Sequence, residues 1–161
     1  MHKKLIFILP AFSFLLFIIV MVMFFKKENK NIQNSNLTFK GVTCLGDSSI
    51  VNIDSYKESI VAYVNTSCGV CAEEIKDLIE IGDSTNIEVI ILSTENYKDL
   101  RDNIHLKDQS KNLHILSITS SVAKKFNFND YPYFLFYKNG ILVKDHKGKI
   151  NASVYIKNIF G

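Results

Sequence analysis

The six residues Ser59 to Val64 form a nearly continuous apolar run, and this run together with the segment after it constrains the fold more than any other stretch of the chain. A run of that kind reads as a central strand buried on both faces. Beyond it, Cys71, Ile75, Leu78, Ile79 and Gly82 fall at i, i+4, i+7, i+8 and i+11, with Glu73, Glu74, Lys76, Asp77 and Glu80 on the other faces. That spacing predicts an amphipathic helix with Gly82 at its end. The segment Cys68-Gly69-Val70-Cys71 therefore stands where a buried strand gives way to a helix.

The remaining segments continue the alternation. Ile87 to Leu92 is a second apolar strand, and Tyr97, Leu100 and Ile104 then sit at helical spacing among charges. Leu113 to Leu116 is a short strand candidate, followed by a helix carrying Val122, Ala123 and Phe126. Tyr133 to Tyr137 and Ile141 to Val143 read as strands joined through Asn139-Gly140, residue types that suit the positive φ angles of a two-residue hairpin turn. Ser153 is placed to cap a last helix with Tyr155, Ile156, Ile159 and Phe160 inward. Strands alternating with helices and closing in a hairpin and a helix indicate an α/β sandwich with a mixed sheet. A chain of 161 residues accommodates one such domain.

The amino-terminal part has a different character. Leu5 to Phe25 is a run of 21 residues without charge, bounded by Lys3-Lys4 and Lys26-Lys27. As a helix it would span about 30 Å, the thickness of a bilayer's hydrocarbon core. A cleaved signal has a shorter apolar core, about 7–15 residues, and a small-residue cleavage site. Here the run ends in the bulky Met21-Val22-Met23-Phe24-Phe25. The expectation is an uncleaved, single-pass signal anchor, with cleavage and secretion as the minority reading. Glu28 to Asn36 is polar and Asn-rich and reads as a tether. The division is then an anchor over 1–27, meeting the lipid bilayer through residues 5–25, a tether over 28–37, and one globular domain over 38–161.

Charge follows the same division. The formal net charge is +3, but the first thirty residues contribute +4 and leave −1 for the rest. A nucleic-acid-binding module concentrates basic charge on its folded part, so no nucleic-acid partner is expected. Basic residues flank both ends of the anchor and their number does not favour export. The thiol chemistry of the site is what assigns the domain to the extracytoplasmic side.

That chemistry rests on placement. Cys68 falls at a helix N-terminus, where unpaired backbone N–H groups and the helix dipole favour a thiolate. Cys71 comes one turn later, close enough to close a disulfide but more buried. An exposed attacking thiolate beside a resolving thiol is what exchange through a mixed disulfide requires. A Cys-x-x-Cys pair is also half a zinc site, but Cys44, His105, His114 and His146 are not paired at ligand spacing, and no metal is expected. Cys44 reads as an unpaired, partly buried thiol in the first β segment. Glu74 has two readings, a carboxylate serving the thiols or, with Glu73, a solvated acidic face. Pro132, the one proline outside the apolar run, opens a strand. It is either an ordinary edge-strand proline or, given the upstream Cys-x-x-Cys, a cis proline facing the disulfide.

The order of strand, Cys-x-x-Cys, helix and a proline opening the penultimate hairpin resembles the thioredoxin fold, over roughly Val51 to Gly161. Within that fold the chain is most similar to the membrane-tethered thiol–disulfide oxidoreductases of the TlpA/ResA type. Glu74 three residues after Cys71, the long Cys71–Pro132 interval with room for a strand–helix insertion within Ile87 to Leu116, and the order of elements from Val122 to Gly140 support the narrower likeness. The resemblance implies a thioredoxin-like three-layer sandwich, a mixed central sheet flanked by helices. It further implies Cys68 as nucleophile, Cys71 as resolving thiol, a carboxylate role for Glu74, a cis Pro132, and substrate docking along Gly69, Val70, Tyr131 and Pro132. The sequence departs from the family at Ser67 (commonly tryptophan), Lys76 (often proline) and Tyr131 (commonly threonine or another small residue), and from thioredoxin at Ala62 (a buried aspartate).

The function expected on this basis is a membrane-anchored, extracytoplasmic thiol–disulfide oxidoreductase. It would reduce substrate proteins with disulfides and be recharged by a membrane electron donor of the same thiol–disulfide kind, with no cofactor besides its own Cys68–Cys71 pair. The alternatives are a catalytically inactive thioredoxin-like binding or assembly module, which the absence of tryptophan favours, and a thiol peroxidase, which the absence of proline between Tyr63 and Ser67 disfavours.

Overall fold

The computed structural model describes residues 37–104 and 111–161. The apolar run Leu5–Phe25 and the tether up to Asn36 lie outside the described residues, as does His105. Among the described residues no helix is long and apolar enough to cross a membrane.

In chain order the elements are β1 (Thr38–Thr43), β2 (Ser48–Asn52), a 3-10 turn (Ile53–Ser55), β3 (Glu58–Tyr63), α1 (Gly69–Ser84), β4 (Glu88–Ser93), α2 (Tyr97–Ile104), β5 (Leu113–Ser117), α3 (Ser120–Lys125), β6 (Tyr133–Lys138), β7 (Ile141–Lys147) and α4 (Ala152–Phe160). The strands form one mixed sheet in the order β2-β1-β5-β4-β3-β6-β7. β3, β4 and β5 run parallel, and β6, β7, β1 and β2 extend the sheet antiparallel on either side.

β3 lies near the middle of this sheet because both its faces are apolar. Strand alternation sends Ile60, Ala62 and Val64 to one face, where they pack with Cys71, Ile75, Leu78 and Ile81 of α1 and Leu100 and Ile104 of α2. Tyr155, Ile156, Ile159 and Phe160 of α4 close over the same cluster. Val61 and Tyr63 point the other way, into a second core built from Phe39, Val51, Ile53, Ala123 and Phe128. The described domain is thus layered, helix over sheet over helix, and Val61 and Ala62 are fully buried between the layers.

Three local expectations are corrected. The helix after the cysteines does not stop at Gly82. It runs on to Ser84 and ends at Thr85, whose backbone N–H (3.0 Å) and hydroxyl (2.8 Å) both donate to Ile81 O. The last helix is capped by Asn151, with Ser153 inside the helix; the Asn151 carboxamide oxygen accepts from Val154 N at 3.3 Å. The last strand extends past Val143 to Lys147, because backbone pairing with β6 carries it through polar residues that hydropathy does not mark. The turn between β6 and β7 has Asn139 at φ 51° and Gly140 at φ 74°, the hairpin geometry their residue types favour.

Candidate active site

The central strand ends at Tyr63, and Val64 N still donates to Leu92 O at 2.9 Å. The chain then turns through Asn65–Cys68. Cys68 N donates to Asn65 O at 3.1 Å, and Ser67 N to Asn65 Oδ1 at 2.9 Å. Cys68 leaves this turn with extended φ and ψ and becomes the N-cap of α1, its Sγ accepting from Cys71 N at 3.4 Å. The sulfur takes the place that a serine or aspartate oxygen usually holds at this position.

The two thiols are free and lie in opposite environments. Cys68 is partly exposed, and its thiol is held below the ordinary range, first by the Cys71 thiol donating to it and then by the Val70 and Cys71 backbone. Cys71 is fully buried, and burial pushes its thiol up to about 12, against an opposing contribution from the Asn65 backbone. The pair therefore has one sulfur whose ionisation the site favours and one whose ionisation it opposes.

The β3–β6 register sets Tyr63 opposite Tyr133, which brings Tyr131-Pro132 to the end of the strand from which the Cys68 turn departs. The Tyr131–Pro132 peptide is cis. Pro132 is buried and immediately precedes β6, which lies between β3 and β7 and is not an edge strand. Its carbonyl accepts from Gly148 N at 2.8 Å. Tyr131 is 39 % exposed and lies over Tyr63, with ring centroids 4.8 Å apart and hydroxyls 3.2 Å apart. Around Cys68, Gly69 faces open space and Val70 is 41 % exposed. An extended chain has room to approach the sulfur there.

Glu74 is not part of a solvated acidic face. It is 1 % exposed, on the same side of α1 as Cys71 and Leu78. Its Oε1 accepts from Ile150 N at 2.9 Å, while Oε2 has no partner among the described residues. Burial holds its carboxyl above the usual carboxylate range, against the lowering effect of the Ile150 N–H. Glu73 is the exposed member of the pair and forms an ion pair with Lys149. Residues 148–150 thus touch Pro132, Glu73 and Glu74 in succession.

Sequence reading missed Glu95. It follows β4, and its carboxylate accepts from Thr66 N at 2.8 Å and Thr66 Oγ1 at 2.6 Å, in the turn that carries Cys68. A polar residue at the carboxyl end of a parallel strand beside the one that leads to Cys68 was the available signal. Cys44 is buried in the turn after β1, in the same apolar cluster as Cys71, and burial raises its thiol. His114 bonds Glu88 at 3.0 Å and His146 bonds Tyr155 at 2.9 Å. Among the described residues no group of three or more His, Cys, Asp or Glu could hold a metal ion.

No protein-family model matches the chain, and no curated protein matches it. Solved structures do. The pneumococcal exposed lipoprotein thioredoxin Etrx1 of Streptococcus pneumoniae is 19 % identical, with 77 % of this chain and 98 % of that one covered at a TM-score of 0.60. A secreted Mycobacterium tuberculosis disulfide oxidoreductase homologous to E. coli DsbE is 14 % identical over 76 % and 94 %, at 0.62. StoA of Bacillus subtilis is 14 % identical over 76 % and 96 %, at 0.57. At such identities the likeness is one of fold, and the described part of this chain has a thioredoxin-like α/β fold.

Proposed function

We propose that the chain is a thiol–disulfide oxidoreductase that reduces disulfides of substrate proteins on the extracytoplasmic face of a membrane. One observation carries the reading: Cys68 caps the N-terminus of α1, partly exposed and with its thiol lowered, while Cys71 one turn on is fully buried with its thiol raised to about 12. The Cys68 thiolate attacks one sulfur of a substrate disulfide, forms a mixed disulfide and expels the other sulfur as thiolate. Cys71 then gives up its proton and attacks Cys68 Sγ, which releases the second substrate thiolate. The substrate gains two electrons and, with two protons, becomes a dithiol; the chain is left with a Cys68–Cys71 disulfide.

Cys71 needs a proton acceptor in the second step. Glu74, three residues on along the same buried face, is a carboxyl with a raised pKa and one unpartnered oxygen, and we assign it that part. Gly69, Val70, Tyr131 and Pro132 form the docking surface. Restoring the dithiol requires a membrane dithiol donor. The anchor reading rests on the uncharged run Leu5–Phe25. The descriptions of Etrx1 as an exposed lipoprotein and of the mycobacterial relative as secreted support an extracytoplasmic setting.

The test is reduction of insulin disulfides by the full chain. Wild type turns over, Cys68→Ser does not, and Cys71→Ser accumulates a mixed disulfide through Cys68. Binding of substrate proteins by a wild-type chain without cysteine-dependent turnover would instead identify an assembly module.

A further inference from the structure

We propose that Glu95 is the positioning residue of the Cys68 turn, a carboxylate clamp that fixes the geometry in which the two cysteines exchange disulfides. The inference rests on the oxidoreductase reading above and adds a residue to its machinery.

Both oxygens of Glu95 are committed to one residue of the turn. Oε2 accepts from Thr66 N at 2.8 Å and Oε1 from Thr66 Oγ1 at 2.6 Å, a two-armed grip by a charged acceptor. Its own position is fixed independently of that turn. Ser93 Oγ donates to Oε2 at 2.9 Å, Glu95 N donates to Ser93 Oγ at 3.2 Å, and Ser117 Oγ donates to Glu95 O at 2.6 Å. The clamp is therefore anchored on the ends of β4 and β5. From α2, Asn103 Nδ2 donates to the same Thr66 hydroxyl at 2.9 Å. Thr66 lies inside the turn closed by Cys68 N on Asn65 O, and the Asn65 backbone also acts on the Cys71 thiol. Holding Thr66 thus holds the backbone that presents both sulfurs. Glu95 touches neither cysteine; it acts through the turn.

Geometry and charge predict opposite responses, which makes the inference testable. If the clamp positions the turn, Glu95→Ala loosens the N-cap arrangement of Cys68 and weakens the bonds that favour its thiolate. If the negative charge alone matters, removing it eases ionisation of Cys68. The readout is the pH midpoint of iodoacetamide alkylation at Cys68, followed on its own peptide by mass spectrometry in the full chain. Glu95→Ala should raise the midpoint by about half a pH unit. Glu95→Gln, which keeps an acceptor for Thr66 N and the shape of the grip, should remain close to wild type. Thr66→Val removes only the hydroxyl arm and should produce a smaller rise; it answers the question if the alanine variant does not fold. Midpoints unchanged in both Glu95→Ala and Thr66→Val, or lowered in Glu95→Ala and Glu95→Gln alike, would overturn the clamp. Failure of the underlying reading looks different: wild type itself would form no Cys68–Cys71 disulfide in any glutathione buffer.

Discussion

Ile150 donates its backbone N–H to Oε1 of Glu74 at 2.9 Å across 76 positions of sequence, and Oε2 of the same buried carboxyl has no partner among the described residues. One half of the group is thus structural, tying the residue before the N-cap of α4 to α1, and the other half is left without a hydrogen bond. Burial is the larger influence and holds the carboxyl above its usual range.

A carboxyl raised in the fold favours the protonated folded state. Its stabilising contribution is fully present below the pKa of the unfolded chain and is lost as pH climbs through the higher folded value. Glu74→Gln keeps the acceptor for Ile150 N and removes the ionisation. Relative to wild type, the variant should gain unfolding free energy as pH rises from 4 to 7. Urea unfolding at several pH values checks this, and a difference flat with pH would contradict it.

The Cys71 thiol is the largest influence holding Cys68 below the ordinary thiol range. Cys71→Ala removes that donor and leaves the helix N-terminus in place. The alkylation midpoint of Cys68 should rise by about half a unit to one unit. No rise would mean that the helix N-terminus alone sets the thiol.

Tyr131 is half exposed over Tyr63, on the side of the site where a substrate chain would lie. Tyr131→Ala should lower kcat/KM for protein disulfides by about tenfold, the loss of a well-packed contact of about 1.4 kcal/mol. A small disulfide such as oxidised glutathione should be affected much less. Equal losses for both would place Tyr131 in positioning the cysteines and not in docking.

Where Gly41 crosses β5, a Cβ would stand 2.6 Å from Ser117 O. The obstacle is backbone in a paired strand, so it cannot swing aside. Gly41→Ala should cost about 1–3 kcal/mol of stability, read by denaturant unfolding; no loss would contradict it.

The parts of this fold legible in the sequence are those where one residue property decides one structural outcome. Ile60 to Val64 is apolar on both faces, so it lies in mid-sheet; Asn139-Gly140 tolerates positive φ, so it turns the hairpin. The Cys-x-x-Cys pair is legible by the same logic, from a strand end meeting a helix start. Glu74 is ambiguous in sequence because its charge competes with its register: three residues after Cys71 and four before Leu78, it falls on the buried stripe. Gly82 gives a false stop, since the terminating bonds come from Thr85, and Asn151 takes the cap expected of Ser153. Glu95 can be placed at the end of a strand from sequence, but its contact cannot be read there. Its partner Thr66 is 29 positions away, and only the parallel pairing of β3 with β4 brings the two together.

The reduction potential of the Cys68–Cys71 pair in the full chain tests the central claim most directly. It is obtained by equilibrating the protein against dithiothreitol and glutathione buffers and following the two thiols by mass. A dedicated reductant should lie close to thioredoxin's value, about −270 mV. A value near −120 mV, where strong oxidants lie, would contradict the reducing direction, and the absence of any Cys68–Cys71 disulfide would contradict the enzyme itself.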